Sequence, residues 1–182
     1  MKAIYRVGEF AVVVLAVGLA SCVSIEQPAY PNDWSPVVAG TETCSDVTGT
    51  YANSGPGPVL LAKWILPKTT ASLERIERVQ LVGPRSGSIT VRLMEGSSVE
   101  VAVRVWKEGT DYRCENGWLV LSLESVVIPP FGYFKAARLA RTVDRQLVVE
   151  STQTAFGLAP YAPLVPVAHH DSKWHRYPLV AE

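Results

Sequence analysis

The chain has 182 residues, enough for one domain. Its 17 basic and 17 acidic residues cancel, and no basic stripe concentrates the positive charge, so phosphate-driven nucleic-acid binding is excluded as a leading function. Five Trp and seven Tyr rule out global disorder.

The N-terminus carries Lys2 and Arg6, then an apolar run of 11 residues from Phe10 to Ala20. That run falls short of the ~20 residues needed to cross a bilayer core and suits the apolar region of a secretory signal. Glu9 is an unusual acidic residue just before it. The run ends in Leu19-Ala20-Ser21-Cys22. This tetrapeptide resembles the lipobox of bacterial lipoproteins. The resemblance implies cleavage before Cys22, a diacylglyceryl thioether on its sulfur and an acylated new amino group, palmitate included. Two or more acyl chains give stable anchoring where one gives marginal binding. Val23, in place of Asp, implies by the same resemblance release to the outer membrane rather than retention at the inner one. An ordinary signal peptide with a chance cysteine at its cut is the competing reading. The expected organisation is a signal peptide over 1–21, a Pro-rich tether over 22–43 and a single domain over 44–182. Without Lys2, Arg6 and Glu9, the 17 basic and 17 acidic residues become 15 and 16, a net charge of −1.

With Cys22 taken by lipid, Cys44 and Cys114 remain in a compartment where disulfides persist. They are expected to pair; two separate buried thiols are the alternative.

The tether contains Pro28, Pro31 and Pro36 among small polar residues and reads as an extended spacer. Its Tyr30 and Trp34 suit either the domain surface or lipid headgroups. The domain opens at Cys44 with a short strand over Asp46–Asn53, closed by Ser54-Gly55-Pro56-Gly57-Pro58. Val59–Leu66 is apolar and bounded by Pro58 and Pro67, and fits a strand or a short helix. Thr70–Arg78 suits one or two helical turns, with Thr70 or Ser72 as cap. From Arg78 the period becomes two. Val79 and Leu81 alternate with polar residues, as do Ile89, Val91 and Leu93 after the Gly83–Gly87 turn. After Glu95-Gly96-Ser97-Ser98, Val99, Val101, Val103 and Val105 alternate with Glu100, Ala102, Arg104 and Trp106. This pattern predicts the valines inside and Trp106 outside. Asn116-Gly117 is a strong hairpin signal between Tyr112-Arg113-Cys114 and Trp118–Leu123. A strand over 126–128 ends at Pro129-Pro130. Tyr133–Val143 suits a helix by propensity or a strand by alternation, and the β-rich Gln146–Thr152 that follows Asp144-Arg145 favours a hairpin. The Pro-rich tail leads to a last short strand at Trp174–Pro178.

Cys44–Gly55, Tyr112–Leu119 and Trp174–Pro178 together resemble a group of small proteobacterial lipoproteins, a likeness that brings no activity with it. Gly49-Thr50-Tyr51 is similar to the Gly-x-Trp that opens lipocalins and avidins, and Thr110-Asp111-Tyr112 to the second lipocalin motif. The expected fold is all-β: an antiparallel meander, closed as a small up-and-down, lipocalin-like barrel or packed as a sandwich.

Chemistry-bearing motifs are sparse. His169, His170, Asp171 and His175 could ligate zinc, yet they read as a solvated loop, and no metal or cofactor is assigned. There is no Gly-x-Ser-x-Gly elbow and no phosphate-cradling loop. Glu74 and Glu77, interleaved with Arg75 and Arg78, read as charged surface. Trp106, if exposed, would mark a ligand or partner surface. The sequence therefore points to a non-enzymatic lipoprotein of the cell envelope. It would be anchored to the outer membrane through Cys22, face the periplasm and act in a structural or interaction role toward another envelope protein. The alternative is a module that holds a small apolar ligand or lipid inside a β-barrel.

Overall fold

The computed structural model describes residues 28–38, 44–66, 72–85, 87–96, 99–159 and 162–181. Its strands are β1 (Gly49–Ala52), β2 (Arg78–Arg85), β3 (Ser88–Glu95), β4 (Val99–Lys107), β5 (Tyr112–Glu115), β6 (Trp118–Ile128), β7 (Phe131–Arg141), β8 (Leu147–Ala159), β9 (Ala162–Tyr177) and β10 (Leu179–Ala181). All ladders are antiparallel, in two five-stranded sheets ordered β10-β1-β2-β3-β4 and β5-β6-β7-β8-β9. The connectivity is that of an up-and-down meander. Among the described residues, however, no ladder joins β4 to β5 or β9 to β10, so the sheets stay open and the closed barrel is not formed. At one break, Pro178 alone separates β9 from β10 and interrupts the run of backbone donors.

Hairpin chemistry sets the registers. Asn116 and Gly117, at φ 51° and 81°, give the two left-handed positions of a type I′ turn between β5 and β6. Tyr133–Val143, open between helix and strand in sequence, falls mostly within β7, and the turn that follows uses Arg145 at φ 67°. Val59–Leu66 resolves as a five-residue helix, α1 (Leu61–Ile65), followed by a 3-10 turn at Leu73–Arg75. Pro67 disfavours helical backbone at Leu66, where α1 stops.

The core between the sheets takes Tyr51, Val79, Leu81, Ile89, Val91 and Leu93 from one side. Leu119, Leu121, Leu139, Leu147, Val149 and Tyr177 come from the other, and Leu61, Ala62 and Ile65 of α1 pack among them. The alternation in β2 and β3 is as expected, but β4 is reversed. Ile89 lies opposite Trp106 and Leu93 opposite Ala102, and directly opposed residues share a face. Trp106 is therefore buried at 2% exposure, while Val103 is 51% exposed and Val101 and Val105 stand beside it. Burying the indole removes far more apolar surface from water than burying a valine, and valine fits a strand on either face. The expectation of an exposed Trp106 is thus overturned.

Part of the expected tether belongs to the domain. Val38 N–H donates to Arg141 O (2.8 Å) and Val143 N–H to Pro36 O (2.9 Å). Trp174 Nε1 donates to Pro28 O (3.0 Å). Tyr30 packs edge-on to Trp174 (5.2 Å), and Arg176 lies over the Trp34 ring (5.1 Å). The segment contacts the outer face of the second sheet, where Val120, Ala140 and Val148 are buried outside the inter-sheet core. Within this outer layer the fully buried Glu150 carboxylate accepts from Ser172 Oγ (2.9 Å) and pairs with Arg138 (3.0 Å), whose guanidinium lies over Trp118 (4.8 Å). Tyr30 and Trp34 thus dock on the domain.

Candidate functional site

Strands β6 to β9 outrun the core. Across β6, β7 and β8 the last buried row on the inner face is Leu121, Ala137 and Ser151; beyond it the same face, with α1, forms a groove. The groove has a volume of about 450 Å³. Lys63 and Trp64 of α1 form one wall, and Glu124, Lys135, Gln153, Asp171 and Lys173 of the second sheet form the other.

A register shift between Ser122 and Glu124 turns the Glu124 carboxylate onto this face. It accepts from Tyr133 Oη (2.7 Å) and pairs with Lys135 Nζ (3.3 Å), so the Tyr133 hydroxyl is held above its ordinary value by the bond to the carboxylate. Asp171 pairs with Lys173 (3.1 Å). These pairs give the wall a balanced, mostly exposed charge pattern, which contributes little to stability.

At the inner end of the groove His175 lies against Trp64, with ring centroids 5.3 Å apart. Burial, then the nearby Lys173 charge, pushes its imidazole below the ordinary range. The unfolded chain therefore binds this proton more readily than the fold does. The stabilising contribution is complete above the unfolded value near 6.5 and is lost as pH falls through the lower folded value. Thermal unfolding is expected to shift down between about pH 7.5 and about pH 5.5, and the shift should shrink in His175→Phe. An equal shift in both proteins would remove His175 from the account. Asp111 and Asp144 act at lower pH. Their carboxyls are held down chiefly by the Lys107 backbone N–H and the Thr142 hydroxyl, respectively, and their contributions fade only below about pH 4.

Beyond the groove the sheet becomes apolar. No Asp, Glu, Lys or Arg occurs in 125–134 or in 151–170. On the inner side Ile128 is 69% and Phe131 56% exposed; on the outer side Val127 and Phe134 are exposed, and Phe134 stacks on Phe156 (5.7 Å). Gly132 pairs with Phe156. A Cβ at Gly132 would meet the Phe156 ring at 2.3 Å, and one at Gly157 the Phe131 ring at 2.4 Å. Each glycine thus makes room for an opposing phenyl ring, one on each face.

The sequence-derived candidates distribute differently. Cys22 lies outside the described residues, as does Thr70. Cys44 and Cys114 are at bonding distance, with Cα atoms 5.0 Å apart, and tie the segment entering β1 to β5 of the other sheet. His169, His170, Asp171 and His175, expected in a loop, lie in β9, which is an edge strand and so accommodates Pro163 and Pro166. Strand alternation places His170 on the face opposite His169, Asp171 and His175, and among the described residues no cluster of three or more His, Cys, Asp or Glu is arranged to hold a metal. Glu74 and Glu77 do not share a helix face, because the turn ends at Arg75, which instead pairs with Glu95 (2.6 Å). The groove lysines and the aromatic tip were missed; the uncharged stretches were the signal that could have found the tip. Comparison of the chain with protein-family models, with curated proteins and with solved structures found no match.

Proposed function

We propose that this chain is a non-enzymatic lipoprotein of the bacterial envelope, anchored to the outer membrane through lipid on Cys22 and facing the periplasm. Its β-domain serves a structural or interaction role. The observation that carries the reading is the exposed apolar end of the second sheet, with Val127, Ile128, Phe131 and Phe134. An exposed apolar patch that includes two phenyl rings is characteristic of a surface that meets something else. The lipobox resemblance supplies the anchor.

A small apolar ligand between the sheets has less support. Side chains such as Leu61, Leu81, Leu93 and Leu139 fill that space, and the groove outside it is walled by charge. The anchor is tested by supplying cells with labelled palmitate. Wild-type protein is expected to incorporate it and Cys22→Ser to incorporate none. Equal incorporation would remove Cys22 as the lipid site.

A further inference from the structure

We propose that the uncharged end of β6–β9 is a second membrane contact, inserted at shallow depth into the bilayer that holds Cys22. The inference deepens the lipid-anchor reading and rests on it for the position of Cys22. Chain length and its starting point make the arrangement possible. Pro28 is fixed at Trp174. From Trp174 to Ala168, which pairs with Phe156 at the apolar end, β9 runs six residues, or about 20 Å. Cys22 precedes Pro28 by the same six residues, which reach at most about 20 Å when extended. The lipid and the apolar end can therefore stand at one level.

The chemistry of the end favours a bilayer over a protein groove. Apolar side chains project from both faces, Ile128 and Phe131 on one and Phe134 and Phe156 on the other. A protein partner would have to clasp both faces, whereas the headgroup and acyl boundary surrounds a wedge without shape matching. The absence of basic residues makes apolar area, rather than attraction to anionic lipid, the driving term.

Depth is limited in two ways. On β6 and β7 the uncharged stretch supplies only four strand residues each, 125–128 and 131–134, against the roughly 9–11 a spanning strand needs. The edges are also open: β5 pairs β6 only as far as Leu121, and β9 ends its sheet. Unpaired edge groups are not tolerated in hydrocarbon, so the end stops at interfacial depth, about 5–10 Å. The charged collar of Glu124, Lys135, Asp171 and Lys173 stays in water.

The test uses the mature lipidated protein in phosphatidylcholine vesicles. With Cys22 acylated and Cys44 bonded to Cys114, an introduced cysteine is the single free thiol. Ile128→Cys and, as a reference on the exposed face of β4, Val103→Cys each carry an environment-sensitive fluorophore. The vesicles contain lipid with a nitroxide near the top of its acyl chain. The Ile128 label is expected to lose about half its emission or more, and the Val103 label to be unaffected. Equal behaviour of the two labels on protein that floats with the vesicles would overturn the second contact and leave the anchor standing. A blue-shifted but unquenched Ile128 label would also overturn it, since a second copy or another protein would then cover the tip. The mass of the Cys22 peptide is read before labelling, and if Cys22 carries no lipid the labels are placed on Cys22→Ser protein, so that the introduced cysteine is again the single free thiol. There a quenched Ile128 label would sink the anchor and sustain the contact, and an unquenched label would sink both.

Discussion

Replacing Cys44 and Cys114 together by Ser is expected to cost the domain about 4 kcal/mol, the largest single effect in the structure. The magnitude follows from a sequence separation of 70, because a crosslink that closes so long a loop removes much conformational freedom from the unfolded chain. The location adds to its consequence. Beside Cys44, Ser45 N–H donates to Gly117 O (2.8 Å) and Ser45 Oγ accepts from Arg141 N–H (3.2 Å). The crosslink therefore pins the entry to β1 against the second sheet, with which β1 shares no ladder. Urea unfolding of the double variant against the oxidised wild type measures the cost. A loss below about 1 kcal/mol would mean that the unfolded chain is already restrained without the bond.

Asn53→Ala is the second large effect, with an expected loss of about 3 kcal/mol. The Asn53 side chain is buried and bonded at both ends of its amide. Its Oδ1 accepts from Ala62 N–H (2.7 Å), and its Nδ2 donates to Ile76 O (2.8 Å) and Leu73 O (3.1 Å). One amide thus holds α1, the 3-10 turn and the end of β1 together. Truncation leaves three backbone groups without that partner, two of them in buried surroundings, at about 1–3 kcal/mol for each group left unmet. Asn53→Asp keeps the acceptor but turns an anionic oxygen toward two carbonyls, and is expected to be no better. Because α1 carries Lys63 and Trp64 to the groove, either variant should also weaken the pH response of His175. Unfolding curves that match wild type within about 1 kcal/mol would contradict the assignment of Asn53 as the hub.

Much of the fold was legible in sequence because its information is local. The alternation of Ile89, Val91 and Leu93 and the Asn116-Gly117 turn each specify a strand or a hairpin without reference to distant residues. What was not legible depends on partners far along the chain. The four valines of β4 look like an inner face until Ile89, paired with Trp106, sets the register. Closure of the meander depends on whether β4 meets β5, which no local pattern encodes. Tyr30 and Trp34 reveal their place only once Trp174 and Arg176, more than a hundred residues away, are brought beneath them. Pro163 and Pro166 argued against a strand, and only the edge position of β9 removes the objection. The candidate site was half visible: the uncharged stretches 125–134 and 151–170 stand in the sequence, but their juxtaposition requires the pairing of β7 with β8.

The intact mass of the mature protein tests the proposed membrane anchor at Cys22 most directly. The predicted result is a chain that begins at Cys22, heavier than its polypeptide by a diacylglyceryl group and a further acyl chain, and lighter by two hydrogens for the Cys44–Cys114 bond. A mass that corresponds to an unmodified Cys22, or to a chain that retains residues 1–21, would contradict it.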